Sequence, residues 1–354
     1  MGGRVGLKGT DGVLGTALAL GAEPVSPGRA VQMLNELQAI SELDVHLPNI
    51  RGMAGPGEMG AHALKVAGYD AVQEIPVNGA RTGANQTCEV AAAMLAAKVN
   101  LIIFCGGDGT ARDICSVVQD VVPILGIPAG VKMFSGVFGT TPARAALIAA
   151  RFLKREIGTA VADVMDLDEQ RYRDGELVVS LFARARVPAE PSYTQASKSL
   201  ISSVDDDTVK QDIGQYLCER ISNCRDDLFL LGPGSTVQAI GKILGIRKTL
   251  LGVDALVNGQ AVAHDLNERQ LLTLLGQNRP GALILSPIGA QGFVLGRGNQ
   301  QLSPQVVRLF AVDAIWVLAT PAKLEKTPAL RFDTGDVALD ELLGARRYWP
   351  VITG

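Results

Sequence analysis

Short apolar runs alternate with stretches of helical spacing along the first half of this chain. Residues 29–40 place apolar side chains at intervals of three and four, which predicts a helix. A second helix is expected over 57–67 and a strand over 70–77. Thr82 to Ala97 reads as another helix, with Thr82 or Asn85 as its cap. Leu101 to Cys105 is an apolar run of strand length. A helix to about residue 119, a strand over 122–127 and a helix over 142–155 follow. Strands and helices alternating through short connections predict a parallel sheet with helices on both faces.

The texture changes after about residue 158. Val161 to Leu167 and Leu177 to Arg186 read as strands joined through the charged turn Asp174-Gly175. A long polar helix is expected over 195–223, interrupted between Ser202 and Asp207. Asp227 to Leu231 reads as a buried strand, followed by helical spacing from Val237 to Leu244. Strands are expected near 249–257 and 282–286, then a glycine-rich loop over 287–298 and a last strand over 314–319. With 354 residues the chain exceeds one small core. The expected division is an α/β domain over 1–158 and a second, β-rich domain over 159–354.

Between the strand 101–105 and its helix lies Gly106-Gly107-Asp108-Gly109-Thr110. A buried strand that empties into a glycine corner presents backbone N–H groups and a helix N-terminus to phosphate. Here a carboxylate stands beside them. The pattern recurs at Gly232-Pro233-Gly234-Ser235-Thr236, again between an apolar run and a helix.

Charge and cysteine content exclude several alternatives. A formal net charge of −3 gives no general attraction to nucleic acid or anionic membrane, so phosphate binding is expected to be local. The five cysteines form no CxxC pair, which points to neither zinc nor a disulfide framework and fits a reducing cytosol. No apolar run approaches the ~20 residues of a membrane span. Met1 to Gly6 lacks the apolar core of a signal peptide, so a soluble cytoplasmic protein is expected.

The Gly-Gly-Asp-Gly-Thr corner resembles that of the superfamily of NAD kinases, diacylglycerol kinases and sphingosine kinases. Three further blocks narrow the likeness: Pro123 to Met133, Leu250 to Asp254, and Pro287 to Gln301. They resemble the ATP-NAD kinase-like branch, which also includes proteins labelled acetoin-catabolism accessory proteins. The resemblance implies an N-terminal Rossmann-like parallel sheet with helices on both faces and a C-terminal β-rich α+β domain. It implies phosphoryl transfer to NAD from ATP or polyphosphate with Mg²⁺, small nucleotides as the only ligands, and a homo-oligomer. A non-catalytic nucleotide-binding accessory protein and a lipid kinase are the alternatives.

The chain departs from the family in three places. The segment Thr-Pro-Thr-Gly-Ser-Thr-Ala-Tyr is represented by the shorter Gly232-Pro233-Gly234-Ser235-Thr236, without the Tyr. The Asn-Glu pair that usually precedes it is absent there; Asn267-Glu268 comes later. The family opens with a strand ending in Asn-Pro, and this chain begins just downstream of where that strand would lie, so a missing first strand is expected.

Carried over residue by residue, the likeness makes Asp108 the carboxylate that orients the acceptor hydroxyl. Capping of the next helix is the structural alternative. Gly106, Gly107 and Gly109 would admit phosphate close to the backbone, and Thr110 would donate its hydroxyl; turn chemistry alone is the alternative. Arg112 and Lys132 would pair with phosphate oxygens or else be solvated charges. Gly234, Ser235 and Thr236 would hold the nicotinamide nucleotide or else cap a helix. The loop 289–301, with four glycines, Arg297 and polar amides, resembles a ligand-facing loop in which Arg297 is the residue to test; a long surface loop is the alternative. No protein metal site is assigned; Mg²⁺ would arrive on the phosphates, with Asp108 as a candidate contact, while Asp113 is expected to complement the helix dipole.

Overall fold

Ile102–Gly106 becomes a strand because its side chains are wanted on both faces. Ile102 and Phe104 pack into one apolar cluster, Ile103 and Cys105 into another. The computed structural model describes residues 2–7, 13–44, 46–69, 72–78, 82–130, 133–167, 179–190, 204–288, 291–327 and 329–353. Their contacts divide the chain into two units. The first holds the described residues within 24–167 and 179–190, the second those within 2–23 and 204–353.

In chain order the elements begin with α1 (Leu14–Ala19), α2 (Ser26–Leu43), β1 (Gly52–Ala54), α3 (Ala61–Val66), β2 (Val72–Glu74) and α4 (Ala84–Ala96). There follow β3 (Ile102–Gly106), α5 (Asp108–Val118), β4 (Ile124–Pro128), α6 (Pro142–Leu153), β5 (Thr159–Leu167) and β6 (Val179–Pro188). β1 pairs with β2, and β3 with β4, both in parallel. Ala111, Ile114, Cys115 and Val118 of α5 cover one face of β3 and β4. Met33 and Leu37 of α2 join Ala145 to Ala150 of α6 on the other. This is the expected helix–sheet–helix layering.

Details differ from the expectations. The helix expected over 57–67 splits at Gly60, whose φ of +119° ends a single 3-10 turn before α3 begins. α4 starts at Ala84 behind an extended Gly83, so neither Thr82 nor Asn85 caps it. The expected boundary at 158 would put β5 in the second domain. By contacts, the antiparallel pair β5–β6 packs on α5 and β4 instead, burying Val164, Ala185 and Val187. The turn Asp174-Gly175 and residues 195–203 lie outside the described residues.

The second unit continues with α7 (Val204–Ser222), β7 (Asp227–Leu231), α8 (Ser235–Ile243), β8 (Asp254–Val257), β9 (Gln260–Ala263) and α9 (Glu268–Gln277). It ends with β10 (Arg279–Leu285), β11 (Phe293–Leu295), α10 (Pro304–Val307), β12 (Ile315–Leu318), α11 (Pro321–Glu325), β13 (Arg331–Phe332), α12 (Val337–Gly344) and β14 (Val351–Ile352). Six strands form one sheet in the order β14-β12-β10-β7-β8-β9. β7, β10, β12 and β14 run parallel, while β8 and β9 are antiparallel additions at one edge. Leu228 and Leu230 of β7 enter one core, Phe229 and Leu231 the other. Each such buried side chain contributes about 1.5–3 kcal/mol, which fixes the strand against slippage by one residue.

The strand at 315–318 is followed by β13 and β14, so it is not the last. β11 lies inside the expected glycine loop and pairs with β13. Both fall short of the four or more residues by which period-two alternation is recognised.

Candidate functional site

The corner after β3 is built by close backbone approach. Ala129 N donates to Gly106 O at 3.0 Å, extending the β3–β4 ladder beyond Pro128. A Cβ at Gly130 would lie 3.1 Å from Gly107 Cα, and one at Gly106 would lie 2.5 Å from Thr110 Oγ1. Gly106 in the corner and Gly130 after β4 are therefore the tight positions, with Thr110 folded back over Gly106. Gly109 and Thr110 are half-buried in the first turn of α5. The corner sits at the carboxyl ends of parallel strands, where α/β sheets bind ligands.

Asp108 does not cap its helix. Gly107 occupies the N-cap position, with no side-chain cap. The Asp108 carboxylate instead accepts the backbone N–H of Phe134 at 2.6 Å and of Ser135 at 3.0 Å. Ser135 Oγ in turn accepts Met165 N at 2.9 Å, which ties the loop to β5. Burial pushes the Asp108 carboxyl above its ordinary value. The Ser135 side chain and the two N–H groups oppose that shift, and the nearby Asp166 adds to it. An ionised carboxylate has about four lone-pair sites. Two N–H donors therefore fix its orientation and leave capacity for a hydroxyl.

Arg112 is engaged by carboxylates. Its Nη1 lies 2.9 Å from Asp166 Oδ1 and its Nη2 3.5 Å from Asp113 Oδ1. It is thus paired with carboxylates while its side chain stays 37% exposed. Lys132 lies outside the described residues.

In the second unit the strand-to-helix corner repeats with different chemistry. Gly234, at φ +121°, is the N-cap of α8 and has no side-chain cap, so Ser235 and Thr236 do not cap that helix. Gly232 N donates to Ile284 O at 2.9 Å and Gly234 N to Leu250 O at 2.8 Å. Ser235 is exposed, whereas Thr236 is fully buried. Thr236 Oγ1 lies 3.4 Å from Lys323 Nζ, which also lies 2.8 Å from Ser286 Oγ. Sequence reasoning missed Lys323. The signal was present as Thr320-Pro321-Ala322-Lys323, a cap-and-proline helix start directly after a strand.

Arg297 is buried and engaged within the second unit. Its side chain is 3% exposed, its Nη2 lies 2.8 Å from Asp333 Oδ2, and its guanidinium sits over the Phe293 ring. Asn299 stitches the same loop, with Nδ2 donating to Val294 O and Oδ1 accepting Gly296 N. Asn267, of the displaced Asn-Glu pair, is likewise occupied. It caps α9 in a reciprocal box with Gln270.

Among the described residues no cluster of three or more His, Cys, Asp or Glu could hold a metal ion. No helix among them is long and apolar enough to cross a membrane.

The aspartate-bearing glycine corner thus lies at the carboxyl ends of the parallel pair β3–β4, a place suited to nucleotide phosphate. Residues 57–157 match the ATP-NAD kinase N-terminal domain and residues 226–348 the ATP-NAD kinase C-terminal domain. The two matches together span more than half of the chain, which belongs to the ATP-NAD kinase-like family. Membership supports kinase-type phosphotransfer and nucleotide binding. No curated protein and no solved structure matches the chain.

Proposed function

We propose that the protein phosphorylates the 2′-hydroxyl of NAD to give NADP, drawing the phosphoryl group from ATP or inorganic polyphosphate. The observation that carries this reading is the buried Asp108 carboxylate at the glycine corner, aimed by Phe134 N and Ser135 N. The 2′-oxygen attacks the terminal phosphorus, the bond to the bridging oxygen breaks in line, and the hydroxyl proton passes to Asp108. A carboxyl pushed upward by burial is a stronger base than an ordinary aspartate. Gly106, Gly107 and Gly109 keep side chains away from the phosphate path, and Thr110 offers a hydroxyl beside it. In the second unit, Gly234, Ser235 and Thr236 contribute to nucleotide binding.

Mg²⁺ would supply charge neutralisation on the donor phosphates. Mg²⁺ in such sites keeps to one or two carboxylates plus phosphate, and Asp108 at the corner is the carboxylate that would meet it. A cytoplasmic homo-oligomer completes the proposal.

The test is NADP formation by the purified protein with NAD and, in separate reactions, ATP and polyphosphate, each with Mg²⁺. Product with at least one donor is expected. Nucleotide binding without product from either donor would contradict the kinase reading.

A further inference from the structure

We propose that the carboxyl edge of the second unit's sheet is a phosphate-binding subsite centred on Lys323. This rests on the nucleotide-binding reading of the Gly232–Thr236 corner and adds the group that is recognised there.

β7, β10 and β12 are adjacent and parallel, so Leu231, Leu285 and Leu318 bring three strand ends to one edge. Each end is followed at once by a polar group: the glycine corner with Thr236, then Ser286, then Thr320 leading to Lys323. Lys323 Nζ draws the three together, at 2.8 Å from Ser286 Oγ and 3.4 Å from Thr236 Oγ1. Both hydroxyls carry a rotatable proton and can turn to donate beside the ammonium. Lys323 itself is half-buried.

The electrostatics suit an oxyanion. Lys210 Nζ sits 2.6 Å from Asp206 Oδ2, and the Asp206 carboxyl is lowered although burial raises it, by Lys210, Thr320 and Lys323. Lys323 thus adds positive charge near a buried carboxylate that already has Lys210 as its ion-pair partner; Asp207, also near Lys210, is 80% exposed on its side chain. α8 adds a first turn whose N–H groups have no intrahelical acceptor and no side-chain cap. Donors converge on an edge where α/β sheets place ligands. Phosphate oxygens are the matching chemistry, from a dinucleotide, a nucleoside triphosphate or inorganic polyphosphate.

The experiment measures equilibrium binding of NAD, ATP and inorganic tripolyphosphate to the full chain by calorimetry, for wild type, Lys323→Met and Lys323→Arg. Lys323→Met is expected to weaken at least one of the three by about ten- to hundredfold, with Lys323→Arg intermediate. Loss for NAD alone assigns the dinucleotide pyrophosphate; loss for ATP or tripolyphosphate assigns the donor. Ser235→Asp provides a variant that favours the start of α8 yet repels phosphate, and the same loss is expected from it. Unchanged affinities in folded Lys323→Met, or in Ser235→Asp if the former does not fold, overturn the inference. So does the absence of binding to all three ligands in wild type. Because no turnover is read, failure here is separate from failure of the kinase reading, which Asp108→Asn addresses.

Discussion

The Asp108 carboxylate takes the backbone N–H of Phe134 at 2.6 Å, across 26 residues of chain. The carboxylate that heads α5 is thereby aimed by the loop after β4, not by its own helix. The glycine corner and the 133–136 loop act as one part, and a change in either should be read at the other.

The acid side of the pH–rate profile follows from that burial. Asp108 titrates above its ordinary 3.8 because burial disfavours the charged form. The acid limb of kcat/KM is expected above pH 3.8. Stability carries the same signature with a definite sign. A raised carboxyl binds its proton more readily folded than unfolded, so its contribution is greatest in acid and declines as pH rises from 3.8 through the folded value. Urea unfolding of wild type and Asp108→Asn across that range should show the decline only in wild type. An acid limb at or below 3.8 contradicts the burial argument.

Gly106→Ala should displace Thr110. The added Cβ would stand 2.5 Å from Thr110 Oγ1, so the threonine or the strand end must move. A cost of about 1–3 kcal/mol is expected from overpacking, together with a fall in kcat/KM. Thermal melting and steady-state kinetics check the two parts. A variant with wild-type melting and kinetics would show that the corner tolerates a side chain.

Arg297 should behave as a structural residue. Arg297→Met leaves Asp333 buried at 5% exposure without its guanidinium partner. Removal of one partner from a buried pair costs about 3–5 kcal/mol. Arg297→Met with Asp333→Asn should recover part of that loss in chemical denaturation. A large rise in KM with unchanged stability would instead return Arg297 to the ligand site.

The parts legible in the sequence are those carried by long local patterns. The run Leu101 to Cys105, the corner and the amphipathic α5 identify themselves within twenty residues. The second corner did so for the same reason, since Asp227 to Leu231 is also a fully patterned strand. What stayed hidden depends on distant pairing. Phe134 and Ser135 gave no local sign that they serve Asp108, and Lys323 meets Thr236 across 87 residues. Arg297 read as ligand-facing because its glycine-rich surroundings resemble a loop; the two-residue β13 and Asp333, which bury it, lie more than thirty residues on. The capping role of Asn267 depends on α9, which lies in a stretch between the strands expected near 249–257 and 282–286 where the pattern predicts no element.

The most direct measurement follows labelled phosphate from donor to NAD in single-turnover reactions, with wild type and Asp108→Asn compared at saturating nucleotide. Wild type is expected to form 2′-labelled NADP, while Asp108→Asn binds NAD and donor normally and slows transfer by several orders of magnitude. Asn retains the shape of the side chain and loses the proton acceptor, so the effect is to fall on transfer rather than binding. Equal transfer rates in the two proteins would contradict the role of Asp108 as the base.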